Sequence, residues 1–133
     1  VIYIASKTVH APKWRALKDS GCPIISTWIY EAGQGESKSL EDLWLRCVLE
    51  ATRADVLIAY REAGEILKGG LVEIGVALGR NRRVFLVGFD GSNLLDGNFS
   101  FKNHPLVTSC KDMEQAFTLA GKHSHSCKWK TYR

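Results

Sequence analysis

A single carboxylate, Glu73, interrupts the apolar run Leu71-Val72-Glu73-Ile74-Gly75-Val76-Ala77-Leu78, which follows directly on Gly69-Gly70. A charge inside such a run needs a reason. The two glycines permit close backbone approach, and the run has the length of a buried helix over Leu71 to Gly79, so Glu73 is expected in or near that helix's first turn. Free backbone N–H groups and the helix dipole favour an anion there, whereas partial burial raises a carboxyl pKa. The expected sum is an ionised, poorly hydrated carboxylate, the form required of a carboxylate nucleophile or a buried electrostatic anchor. A first-turn glutamate that only answers its own helix dipole has the same local sequence, so position in the fold must separate the two roles.

Other side chains qualify as neighbours of such a group. Ser6, Lys7, Thr8 and His10 follow the first apolar run and are candidates to contact a phosphate or a sugar hydroxyl, or form a plain helix entrance; the phosphate-loop pattern Gly-x-x-x-x-Gly-Lys-Ser/Thr is absent. Trp14 and Trp28 are candidates for stacking on a heterocycle or for the core. Tyr60 ends another apolar run, where it packs over a base, bonds a sugar or caps the core. Asp42, beside Glu41 at the start of a long helix, is either a second carboxylate near the pocket mouth or a first-turn acid.

The elements that must position these residues are legible as alternating periodicities. Strand-length runs recur at Val1 to Ala5, Pro23 to Trp28, Asp55 to Tyr60 and Arg83 to Gly88, with a weaker one at Leu106 to Ser109. Helical spacing occupies about Pro12 to Ser20, Leu71 to Gly79 and Asp112 to Ala120. The clearest helix opens at Ser39-Leu40-Glu41-Asp42, with Leu40, Leu43, Trp44, Cys47, Val48 and Ala51 along one face and Ser39 as cap. Such alternation predicts an α/β fold, a three-layer sandwich on a parallel sheet of about five strands. In a flavodoxin-like order 2-1-3-4-5 the ligand crevice opens between strands one and three, which puts Glu73 beside Ser6 to His10. The connections 30–38 and 61–70 exceed the usual ~2–6 residues of a βα loop and are expected to wall or cover that crevice.

With 133 residues, 45% of them hydrophobic and 24% charged, the chain suits one domain, placed at 1–121, followed by a basic tail at 122–133. The net charge of +4 resides in Lys122, Lys128, Lys130 and Arg133, so the rest is neutral and no nucleic-acid partner is expected. Cys22, Cys47, Cys110 and Cys127 lack metal-ligand spacing, so no metal and no disulfide framework is expected. No run approaches the ~20 apolar residues of a membrane span, which predicts a soluble protein of the cytoplasm with reduced thiols.

Tyr3-Ile4-Ala5-Ser6, Ala54-Asp55-Val56-Leu57-Ile58-Ala59 and Gly70-Leu71-Val72-Glu73-Ile74-Gly75-Val76-Ala77-Leu78, with a basic turn and Val84-Phe85-Leu86-Val87 beyond, resemble the nucleoside 2-deoxyribosyltransferase superfamily. That superfamily includes the 2'-deoxynucleoside 5'-phosphate N-glycosidases, and the likeness covers roughly residues 1 to 90. It implies a flavodoxin-like, homo-oligomeric enzyme without cofactor, acting on a small-molecule nucleoside or nucleotide. It further implies Glu73 as the nucleophile that takes a deoxyribosyl group from its base, with Asp42 as a candidate helper acid; Tyr3, Ser6, Lys7, His10, Tyr60, Gly69 and Gly70 are the expected substrate contacts. Ser6 stands where the superfamily usually has glycine, and Asp42 lies about a turn further from the following strand than the superfamily's helper aspartate. These departures keep a second expectation open, a nucleotide-binding or sensing module without turnover.

Overall fold

The computed structural model describes residues 1–31, 39–89 and 99–123. Four strands, β1 (Ile2–Ala5), β2 (Val56–Tyr60), β3 (Arg83–Val87) and β4 (Val107–Cys110), form an all-parallel sheet in the order β1-β2-β3-β4. The helices are α1 (Ala11–Asp19), α2 (Leu40–Arg53), α3 (Gly69–Gly79) and α4 (Met113–Ala120). Pairing runs through Tyr3 with Leu57 and Leu57 with Val84, so these side chains share a face, and Ile4, Ile58 and Phe85 share the opposite one. Tyr3 reaches α3, whereas Phe85 stacks on His123 just beyond α4, so helices cover both faces. Near-continuous Val, Ile, Leu and Ala in β1 to β3 fit a sheet buried on both sides.

The sheet has four strands where about five in the order 2-1-3-4-5 were expected, because Pro23 to Trp28 does not form a strand. It makes one bridge, Ile24 to Ile2, and the chain then enters a short 3₁₀ turn at Thr27–Tyr30. Side chains replace the missing ladder. Ser26 Oγ accepts from the Ile4 N–H at 2.7 Å, and the Trp28 indole N–H donates to the Ile4 carbonyl at 2.9 Å. With both polar groups of Ile4 satisfied in this way, a fifth strand has nothing left to bond there.

Two helices also depart from expectation. The α3 helix begins at Gly69, two residues early, which puts Glu73 in its second turn and leaves no acid in the first. The expected support of Glu73 by free N–H groups therefore does not apply. The Ser39 cap of α2 forms as expected, accepting from the Asp42 N–H at 3.0 Å. Its apolar face is only partly buried: Cys47 and Ala51 are covered, whereas Leu40, Trp44, Leu45, Val48 and Leu49 are exposed. Its main neighbour in the layers is α3.

Cys22 is disulfide-bonded, contrary to the expected reduced thiols, while Cys47 and Cys110 are free; sequence spacing carries no distance information for such a pair. Among the described residues no helix is long and apolar enough to cross a membrane. Most of the loop 30–38, at 32–38, and most of the tail, at 124–133, lie outside the described residues.

The carboxyl ends of β2 and β3 are tied together by Arg61. Its N–H donates to the Val87 carbonyl at 3.0 Å, and its guanidinium donates to the Gly88 carbonyl at 2.9 and 3.2 Å and lies over Phe89. Gly88 allows this with φ of 86°, and a Cβ there would sit 1.9 Å from the Arg61 carbonyl oxygen. Gly88→Ala should therefore lower stability by roughly 2–4 kcal/mol, from backbone strain plus the clash. A denaturant midpoint unchanged from that of the parent protein would show that the two chain ends are not locked together.

Candidate active site

A cavity of about 340 Å³ opens at the carboxyl edge of the sheet, between the ends of β1 and β2 and under α2 and α3. It is lined from β1 by Ser6, Lys7 and Thr8, from the 3₁₀ turn by Trp28 and Glu31, from α2 by Leu43, Trp44 and Cys47, and from the start of α3 and its approach by Leu67, Lys68, Gly69, Gly70 and Glu73. Volumes of ~300–1,000 Å³ with apolar walls and few polar groups are typical of small-ligand sites.

Glu73 is a buried carboxyl of this cavity, only 8% exposed. The Tyr3 hydroxyl, itself wholly buried, donates to its Oε2. No cation is paired with it among the described residues. Burial consequently pushes its pKa from 4.5 up to about 8, and the Tyr3 hydrogen bond, which favours the anion, does not cancel that effect. The carboxyl expected to be ionised is thus largely protonated at neutral pH in the empty cavity.

The glycines serve close approach. A Cβ on Gly69 would meet the Trp44 ring at 3.1 Å, and one on Gly70 would meet Leu67 at 3.1 Å and Ala5 at 3.6 Å. Their absence brings the first turn of α3 against β1 and lays the Trp44 indole over Gly69. Cys47 adds a neutral wall, since burial, then the Glu50 charge, raises its thiol to about 11.

Of the expected site residues, Glu73, Ser6, Lys7, Gly69 and Gly70 share this cavity and Tyr3 lies directly behind Glu73. Ser6 is tethered, accepting from the Trp14 indole N–H at 2.8 Å, and Trp14 is core while Trp28 faces the cavity. His10, Tyr60 and Asp42 do not line it. Tyr60 sits on the other face of the sheet against Trp14 and His10, and His10 Nε2 pairs with Glu65 at 2.9 Å. Tyr60 donates to Glu62, which lowers the Glu62 pKa, while burial first and this bond second raise that of Tyr60. These contacts fasten the loop after β2 to the start of α1. Asp42 accepts from Arg46 Nε at 2.9 Å on the outside of α2.

Six lining residues carry no sequence signal as site groups: the apolar or neutral Leu43, Cys47 and Leu67, and Glu31, Trp44 and Lys68. Glu31 and Lys68 fall in long loops already suspected as walls, and Trp44 was assigned to a buried helix face. No protein-family model matches the chain, and no curated protein matches it.

The raised pKa has a stability consequence. A group bound to its proton more tightly when folded supports the fold fully below about pH 4.5, and that support is lost as pH rises through about 8. Glu73→Gln should remove this dependence, so the variant should gain on the parent protein between these pH values and hold its advantage above them. The expected gain at pH 9 is a few kcal/mol, as each tenfold change in proton affinity is worth about 1.4 kcal/mol. Parallel stability curves for the two proteins from pH 4.5 to 9 would contradict the burial of an unpaired acid.

Proposed function

We propose that the cavity binds a nucleoside or nucleoside 5'-monophosphate and that the protein cleaves or transfers its N-glycosidic bond through Glu73. The observation that carries this is a nearly buried carboxyl with no cationic partner among the described residues, bonded to a tyrosine hydroxyl, in the wall of a small-ligand cavity. At neutral pH a fold is weakened by burying such a group, and perturbed acids in clefts concentrate at functional sites. The resemblance of residues 1 to 90 to the nucleoside 2-deoxyribosyltransferase superfamily, of flavodoxin-like architecture, supports the same chemistry.

The ionised Glu73 carboxylate attacks the anomeric carbon as the bond to the base breaks, the base leaves with the bonding electron pair and takes a proton from water, and a glycosyl ester remains on Glu73. Water or a second base then releases the sugar from the ester, retaining its configuration. The developing oxocarbenium charge is stabilised by the adjacent anion, and the Tyr3 hydroxyl holds the attacking carboxylate in place. No cofactor takes part. A nucleotide-binding module without turnover is the second reading, favoured by the protonated state of Glu73 in the empty cavity at neutral pH.

Incubation with each deoxynucleoside and its 5'-monophosphate, with and without a second free base, separates the outcomes. Free base alone marks a hydrolase, an exchanged nucleoside a transferase, and binding without product the sensing module. For an enzyme, kcat/KM should rise with pH towards a plateau above about 8 as Glu73 ionises. Glu73→Gln should lose turnover by several orders of magnitude and keep ligand affinity within about tenfold. An active Gln variant would end the nucleophile assignment.

A homo-oligomeric state is part of this proposal, and the exposed Trp44, Leu45, Val48 and Leu49 of α2 support it, since they continue outward from the cavity wall. Leu45→Glu combined with Leu49→Glu should reduce the mass measured by light scattering to that of one chain. A parent protein already monomeric at high concentration would refute the oligomer.

A further inference from the structure

Building on the nucleoside reading above, we propose that Glu31 is the second carboxylate of the cavity, accepting a hydrogen bond from an N–H or O–H donor of the bound ligand, with Arg46 as its positioning residue. Glu31 lines the cavity that holds Glu73, whereas Asp42, the acid first considered for a second role, does not. Its carboxylate meets the Arg46 guanidinium in a two-point fork, Nη1 to Oε2 at 2.5 Å and Nη2 to Oε1 at 2.9 Å. Arg46 is itself fixed on its remaining sides, by Asp42 at 2.9 Å from Nε and by the Thr27 hydroxyl at 2.8 Å from Nη1. Thr27 is held in turn by Glu50, through its N–H at 3.0 Å and its hydroxyl at 2.7 Å. A chain of directed bonds thus runs from the middle of α2 to one wall of the cavity.

This geometry selects a role. A forked arginine fixes a carboxylate as an anion, and an anion only accepts. Arg46 keeps its own proton more tightly than usual, first through the bond to Glu31. Glu31 is accordingly unsuited to protonate a leaving base and suited to accept from a donor. The charges around the cavity are also unequal. Glu31 lines the cavity beside α2, while Lys7 and Lys68 line the β1 and α3 sides without an ion pair among the described residues. A ligand with a donor at one end and an electron-rich or anionic group at the other fits this polarity in one direction only.

Two donors shared by deoxyadenosine, deoxycytidine and their 5'-monophosphates meet the requirement, an exocyclic amine of the base and the 3'-hydroxyl of the sugar. Calorimetric titration in the Glu73→Gln protein, where turnover is removed, distinguishes them. Deoxyadenosine and deoxycytidine, as nucleosides and as 5'-monophosphates, are each compared with an analogue lacking only the amine and one lacking only the 3'-hydroxyl. With Glu31 present, loss of one of these donors should weaken binding at least about tenfold, since a site polar group is left unpaired. In Glu31→Ala that ratio should fall below about threefold, and Arg46→Lys, which cannot form the fork, should give an intermediate ratio. A ratio between matched ligands is insensitive to a general loss of folding, which weakens both alike. If the ligands bind but discrimination is the same without Glu31, or neither donor matters with it, the assignment of Glu31 is wrong and the nucleoside reading stands. If none of them binds, the nucleoside reading itself falls, and Glu31 with it.

Discussion

One hydrogen bond, from the Tyr3 hydroxyl to Glu73 Oε2, joins the sheet to α3 where the cavity opens, and the geometry around it follows from how closely helix and strand can approach. Alternation along β1 turns Tyr3 and Ala5 towards α3. Gly70 lets the first turn of the helix settle on Ala5 and Leu67, which fixes the axis of α3 and with it the height of Glu73 above the sheet. A bulkier residue there would lift the helix and separate hydroxyl from carboxyl. The same close approach at Gly69 admits the Trp44 ring, so the floor and one wall of the cavity share a cause.

The two carboxylates of the cavity occupy opposite electrostatic situations. Glu73 is buried and without a cation among the described residues, and its proton affinity is raised; Glu31 is forked by Arg46. Environments that drive two like groups apart are how a single pocket supplies one acid that can change state and one that stays fixed. The division is maintained by different parts of the fold, Glu73 by the buried interface of α3 with β1, Glu31 by polar side chains on the solvent side of α2.

Much of this architecture was legible as periodicity. Apolar runs at strand length gave β1, β2 and β3, and the capping pair Ser39 and Asp42 gave the start of α2 to the residue. What escaped was whatever depended on distance across the fold. Pro23 to Trp28 has strand-like composition, but Ser26 and Trp28 spend their polar atoms on Ile4, which no local pattern reveals. Glu73 was found because a charge in an apolar run is conspicuous. Its protonation differs from expectation because burial dominates, and because α3 begins at Gly69, which puts Glu73 beyond the free N–H groups of the first turn. Tyr60 lies at the correct end of β2, yet on the face of the sheet away from the cavity, a difference of one residue in register, and His10 packs against it there. Glu31 was passed over because an acid in a loop carries no sequence signature until its arginine is located.

The side-chain finish on β1 has a consequence for how the molecule meets other chains. The outer rim of a sheet ordinarily offers a free row of amides on which a foreign extended segment can grow. Here the Ile4 amide and carbonyl are occupied by Ser26 and Trp28, and those of Ile2 by the neighbouring backbone at Pro23 and Ile25. Self-templating into fibrils along this border is therefore closed off by a serine and an indole, with no proline or charged residue needed within the strand.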